Sequence, residues 1–211
     1  MAVAAQRHGV RVVAFQKCGH TSIINSFKTP GGEDVVRGAD GLDDMFAGVA
    51  TNDWPHPVAT IAYLRHPLSR LVSVYNHLVL GTYRENFDQF GMYAGMPFAI
   101  FCDRLCDHST DVDLDPHTKR QAVSLVEMSD DTTLWLARLE EINQRWPAMV
   151  DTFGLACVRE PAHFNNKARV PWPLMYHRHS KADLNNLLNV YSVDMDLWET
   201  HNVAEGFLYQ Q

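Results

Sequence analysis

The sequence predicts an α/β protein of three layers, with a central, mostly parallel sheet covered by helices on both faces. Three observations carry this expectation. "VRVVAF" (Val10 to Phe15) and "VATIAYL" (Val58 to Leu64) are short, nearly continuous apolar runs, the pattern of strands buried on both sides. Each is followed by a segment of helical character, so strands and helices alternate along the chain. At 211 residues and 46% hydrophobic content, with no internal repeat, the chain has the material for one sizeable core, and a single domain over 1–211 is expected.

Taken in order, the first strand, Val10 to Phe15, leads into a helix over Thr21 to Lys28. "DVVR" is a weaker second strand, followed by a short helical stretch at Leu42 to Val49. The strand Val58 to Leu64 is bounded upstream by "PHP". Pro67 then suits a first helical turn, and Leu68, Leu71, Val72, Tyr75, Leu78 and Val79 form an apolar stripe that ends at Gly81. Pro97 opens another helix, with Phe98, Phe101, Cys102, Leu105 and Cys106 on one face. "TTLWLARL" (Thr132 to Leu139) fits either strand alternation or a helix; we read it as a late buried strand followed by a helix around Asn143 to Val150.

Bulk properties exclude several settings. A net charge of -7 and a pI near 5.8 argue against a general nucleic-acid binder, which displays a basic face. No apolar run approaches the roughly 18 residues of a membrane span, and "MAVAAQRHGVRVVAF" lacks the pattern of a signal peptide. Cys18, Cys102, Cys106 and Cys157 make no dense disulfide framework, so a reducing, cytoplasmic setting is expected. Cys102, Cys106 and His108 lack a fourth ligand at a recognisable spacing, and the two cysteines are read as core residues, with no metal.

In a sheet of this kind the ligand site lies beyond the carboxyl ends of the strands. There stands "FQKCGHTSIINSF", Phe15 to Phe27. Over Lys17 to Ser22, backbone N–H groups, a helix dipole, two hydroxyls and one ammonium converge as for an anion. The P-loop spelling is absent, since Lys17 precedes the lone glycine, Gly19. "YLRHPLSRLVSVYNHL" supplies a second anion grip at the next strong strand, with Arg65 at its carboxyl end and Arg70 and Ser73 on the first helical turns. Two grips at two strand ends suit a ligand with two separated phosphate-like groups. The plain alternatives are a strand-to-helix turn capped by Thr21 or Ser22, and Arg70 and Ser73 as solvated helix residues.

These two segments, in this order, resemble the sulfotransferases that use 3'-phosphoadenosine 5'-phosphosulfate (PAPS). Gln16-Lys17-Cys18-Gly19-His20-Thr21-Ser22 is similar to their 5'-phosphosulfate loop, P-K-C-G-[ST]-[ST]-S, and Arg65-His66-Pro67-Leu68-Ser69-Arg70-Leu71-Val72-Ser73 to their 3'-phosphate element, R-[DN]-P-x-x-R-x-x-S. "RGADGLDDM" with "YLRHPLSRLVSVYNHLVLGTY" resembles the heparan sulfate 6-O-sulfotransferases. "HTKRQ" (His117 to Gln121) is similar to a substrate-side segment of carbohydrate sulfotransferases, and "LARLEEI" with "HFNNKA" to their late strand and loop. The resemblance implies a P-loop-NTPase-like sulfotransferase fold and transfer of a sulfuryl group from PAPS to a hydroxyl of a saccharide or glycoconjugate, with product 3'-phosphoadenosine 5'-phosphate (PAP) and no required metal. It implies cofactor contacts from Lys17, Cys18, Gly19, His20, Thr21, Ser22, Arg65 and Ser73, with Lys17 as the cation at the leaving oxygen.

The chain departs from the family at Gln16, at His20, and at Gly38, where the 6-O-type pattern has a catalytic histidine before Ala39-Asp40. A base is still required. Asp40 is ranked first, from the exit of the second strand, followed by His117 and His56. Each also has a structural reading: a turn before Gly41, a surface position after Asp115-Pro116, and a place fixed between Pro55 and Pro57. Two other functions share these features: a nucleotide or small-molecule kinase, disfavoured by the position of Lys17 and the lack of an evident Mg-holding set, and a non-catalytic PAP or PAPS binder.

Overall fold

The computed structural model describes residues 2–7, 10–27, 36–38, 59–81, 90–128, 133–155, 161, 181–200 and 207–209. Six strands make one sheet: β1 (Ala2–Arg7), β2 (Val10–Phe15), β3 (Val36–Gly38), β4 (Ala59–Leu64), β5 (Thr133–Arg138) and β6 (Phe207–Tyr209), in the order β3-β1-β2-β4-β5-β6. The three apolar strands β2, β4 and β5 form a parallel centre, with Val12 opposite Ile61 and Ala62 opposite Leu136.

The protein is therefore α/β as expected, but its sheet is mixed rather than mostly parallel. β1 pairs antiparallel to both β2 and β3, and β6 antiparallel to β5. The difference comes from β1, whose alanine-rich "AVAAQR" has little of the β-branched and aromatic signature of a strand. Its register places Arg7 opposite Val10, so β1 lies along the edge of β2 away from β4. The strand expected at "DVVR" forms as β3 and pairs with β1.

"TTLWLARL" forms β5, and its alternation divides the two faces of the sheet. Trp135 and Ala137 pack with Val10, Val12, Ile61 and Tyr63, while Leu134 and Leu136 pack with Val13, Phe15, Ala62 and Leu64. The first face is covered by α1 (His20–Phe27) through Ile23 and by a helix reached through the 3-10 turn Leu139–Glu141, α5 (Ile142–Thr152), through Ile142, Trp146 and Met149. Tyr63 lies edge-on to Trp135 at 5.6 Å and stacked on Trp146 at 5.9 Å, contacts worth about 0.5–1.5 kcal/mol each beyond burial. The second face carries α4 (Gln121–Met128) through Leu125 and α7 (Ser192–Thr200) through Leu197 and Trp198.

A separate core joins α2 (Pro67–Val74) and its continuation Tyr75–Val79 to α3 (Phe98–Asp107) and α6 (Lys181–Val190). Phe98, Phe101, Cys102 and Leu105 are buried there and Cys106 is partly buried against it, the core placement expected of the two cysteines. Tyr75–Val79 is a π-helical turn, closed by Leu80 N–H on Tyr75 O at 3.1 Å. The helical stretch expected at Leu42 to Val49 lies outside the described residues. Among the described residues no helix is long and apolar enough to cross a membrane.

Candidate functional site

β2 ends at Phe15, and residues 16–19 turn the chain into α1. Cys18 N–H donates to Phe15 O at 3.0 Å, and Ile23 N–H to Gly19 O at 2.9 Å. Lys17 and Gly19 both lie in the left-handed region, at φ 63° and 69°, with Cys18 between them at negative φ. Such alternation of handedness curls backbone N–H groups into a concavity suited to an anion. For a lysine the left-handed conformation costs about 1–2 kcal/mol, strain of the kind that gathers at ligand sites. A Cβ at Gly19 would also lie 3.1 Å from Leu139 Cδ1, so that side chain would have to give by a few tenths of an ångström.

The neighbouring strand brings Arg65 to this turn. The half-buried guanidinium donates from Nη1 to Lys17 O at 2.7 Å and from Nε to Ser69 Oγ at 3.1 Å. The Gln121 side chain, at the start of α4, holds the backbone of Arg65 on both sides: Oε1 accepts Arg65 N–H and Nε2 donates to Arg65 O, both at 2.9 Å. The same Oε1 receives the buried Cys18 thiol at 3.1 Å. Cys18 is thus a support beneath the loop, and burial pushes its pKa up to about 11.

Arg70 is not a solvated helix residue. It is 2% exposed, and its Nε donates to Gln16 O and its Nη2 to His117 O, at 3.1 and 3.0 Å. One buried cation therefore fastens the entry of the β2 turn to the segment that carries His117. Asp194 anchors the same network from α7, accepting the N–H groups of Gln121 and Ala122 at 2.9 Å each; burial raises its pKa.

The wall of the site is α2. From Pro67 to Val79 every residue is buried except Ser69, Ser73 and His77, which are half-buried. Positions four apart share a helix face but drift by about 40° per step in an α-helix. The wider π-helical turn from Tyr75 reduces that drift, keeping His77 in line with the serines. The result is a polar stripe on an otherwise buried helix, starting beside Arg65.

His77 faces His117, with ring centroids 6.3 Å apart. Burial, followed by the charges of Lys17 and His117, lowers the pKa of His77 to about 4; His20 is lowered to about 4 by burial first and then by charges of which that of Lys17 is the largest. The Lys17 ammonium is brought down to about 8 by burial and then by Arg65. These shifts tie Lys17, His20, His77 and His117 into one neighbourhood. Among the described residues no carboxylate pairs with Lys17 or Arg65. In a chain of net charge -7, this is a local concentration of cationic and neutral donor groups, able to hold an anion in a partly desolvated setting.

Of the residues singled out in the sequence, Lys17, Cys18, Gly19, His20, Thr21, Ser22, Arg65, Ser73 and His117 belong to this region or its supports. Asp40 and His56 lie outside the described residues. The sequence reading missed Asp115, Asp194 and His77; for His77 the signal was the i, i+4, i+8 spacing Ser69, Ser73, His77 within an apolar helix. The described residues include no group of three or more His, Cys, Asp or Glu able to hold a metal ion. Compared with protein families, curated proteins and solved structures, the chain matches no family model, no curated protein and no solved structure.

Proposed function

We propose that this chain is a PAPS-dependent sulfotransferase, of P-loop-NTPase-like sulfotransferase fold, acting on a hydroxyl of a saccharide or glycoconjugate. The observation that carries the reading is the 2.7 Å hydrogen bond from Arg65 to the carbonyl of Lys17, which joins the two motif segments into one site at the ends of parallel strands. The groups present fit the ligand. The left-handed turn at Lys17 and Gly19 and the start of α1 offer donors for a phosphosulfate, and Arg65 with Ser73 offers donors for a second phosphate. The buried Cys18, whose thiol donates to Gln121 Oε1, suits a reducing, cytoplasmic setting.

Bound PAPS would supply the sulfuryl group. The chain's own part is to hold both anionic ends, place a cation at Lys17 where negative charge grows on the leaving oxygen, and take a proton from the acceptor. Lys17 suits its role because a partly desolvated ammonium, lowered to about 8, gains a counter-charge as the reaction proceeds. The candidates for the base are Asp40, His117 and His56; the backbone of His117 is joined to the network around Arg70.

Calorimetry with PAP, with ATP and Mg as the control, followed by an acceptor screen with labelled PAPS, tests the proposal. We expect PAP to bind and to raise thermal stability by mass action. Stabilisation by ATP and Mg without any by PAP would replace the reading with a kinase. PAP binding with no transfer to any acceptor would leave a non-catalytic binder. Asp40→Asn, His56→Gln and His117→Gln then identify the base, whose loss should cost about 10²- to 10⁴-fold in turnover with PAP affinity unchanged.

A further inference from the structure

His117 stands in a turn fastened from three directions. Its N–H and that of Thr118 donate to Asp115 Oδ1 at 2.7 and 3.2 Å, and its carbonyl accepts from buried Arg70. The next carbonyl, that of Thr118, accepts the hydroxyl of buried Tyr191 at 2.7 Å, while Thr118 Oγ1 donates to Val112 O at 2.8 Å. The imidazole remains about a quarter exposed, whereas Asp115 is buried. Nδ1 of the ring lies 3.5 Å from the same Oδ1. A half-open imidazole on a rigid turn, with a buried carboxylate behind one nitrogen, is the arrangement that commits the other nitrogen to receive a proton.

We infer that Asp115 is a positioning residue for His117, holding the ring with its proton on Nδ1 so that Nε2 is the base for the acceptor hydroxyl. The inference rests on the sulfotransferase reading and deepens it. In the transfer the acceptor O–H bond breaks and its proton passes to Nε2, while an O–S bond forms. The bond from sulfur to the bridging phosphate oxygen of PAPS breaks, and PAP leaves with that electron pair. No oxidant or reductant is needed. Asp115 stabilises the imidazolium that results.

The surroundings explain why this carboxylate matters. His117 is faced by His77 from the π-helical turn and lies within electrostatic reach of His20 in α1, two rings on which Lys17 also acts, and Arg70 is at its carbonyl. At neutral pH the cations of this group are Lys17 and Arg70, because His20 and His77, lowered to about 4, are neutral. Asp115 is the carboxylate that hydrogen-bonds this turn, and although burial acts to raise its pKa, the side chain, charge and N–H of His117 and the N–H of Thr118 together bring it below the ordinary value. It is therefore ionised at neutral pH and available to offset them. The 3.5 Å separation is long for a hydrogen bond, as catalytic contacts often are before substrate is bound.

The test combines a variant with a measurement on the native chain. Asp115→Asn retains an oxygen for the two backbone N–H groups but loses the charge. We expect turnover at saturating PAPS to fall about 10- to 100-fold, the acidic limb of the rate profile to move to lower pH, and PAP affinity to stay within about twofold. Nitrogen-15 spectra of the wild-type imidazoles, with His117→Gln for assignment, should show His117 as the Nδ1–H tautomer. A rate profile unchanged in Asp115→Asn, or an Nε2–H tautomer in the wild type, overturns the inference. Should Asp115→Asn fail to fold, the tautomer decides. Failure of PAP to bind the wild type sinks the sulfotransferase reading instead, and the tautomer still reports whether the pair exists.

Discussion

Arg65 and Lys17, 48 positions apart, meet through one hydrogen bond, from the guanidinium Nη1 of the first to the backbone carbonyl of the second. The bond makes the shape of the lysine turn depend on the strand beside it. A single side chain thereby belongs to the scaffold and to the proposed ligand site.

Arg65→Ala should weaken PAP binding by about 2–5 kcal/mol, the scale for removing one partner of a desolvated charge contact. Arg65→Lys keeps a charge but not the planar fork that reaches Lys17 O and Ser69 Oγ together, so it should recover only part of the affinity. Calorimetry on both variants checks this. Wild-type affinity in Arg65→Ala would exclude Arg65 from the 3'-phosphate role.

Lys17→Gly separates stability from activity. Glycine adopts the left-handed conformation without the clash of a Cβ and removes a partly buried ammonium beside Arg65, so the fold should gain about 1 kcal/mol in chemical denaturation. Turnover should fall at saturating PAPS, because the charge proposed to face the leaving oxygen is gone. A variant that is both stable and fully active would remove Lys17 from the chemistry.

Gly19→Ala should act in the opposite direction. It places a Cβ at φ 69° and 3.1 Å from Leu139 Cδ1, two penalties that together cost about 1–3 kcal/mol. Thermal unfolding reads the loss, and PAP should bind more weakly because the turn that offers its N–H groups is displaced. Equal stability in the variant would mean that the turn relaxes freely.

Two histidines give stability a defined pH window. His20 and His77 have folded pKa values near 4, below the ordinary 6.5, so the unfolded chain binds more protons between these values. Their contribution is fully present above about pH 6.5 and is lost as the pH falls through about 4. Denaturation midpoints measured across that window should decline toward acid, and His20→Gln and His77→Gln should each flatten the decline. Saturating PAP should flatten it too, since a bound anion favours the protonated rings.

β2, β4 and the start of α2 were legible because burial on both faces leaves an unbroken apolar run, and because proline marks a helix start. β1 was not, since an alanine-rich segment becomes a strand through the partners it finds, Val10 to Phe15 on one side and Val36 to Gly38 on the other. The residues proposed to hold the anion could be read for a related reason: Lys17 and Arg65 sit where strands end, and strand ends are visible. The supports could not. Gln121 reaches Arg65 across 56 positions and Asp194 reaches Gln121 across 73, and no local period encodes such pairings. Arg70 follows the same logic, because a charged residue among apolar ones on a helix reads as solvated until two carbonyls are found to enclose it.

The two rims of the sheet are strands of three residues each, β3 and β6, whereas the strands between them have six. Short rims limit self-association, because they offer few backbone groups for a second molecule to pair with. Phe207 to Tyr209 cover Leu134 to Leu136 of β5. Removing residues 207–211 would expose an apolar strand as a new rim, open to edge-to-edge pairing between copies. In handling this protein, trimming that end invites precipitation, and an affinity tag belongs where it does not pull β6 from its neighbour.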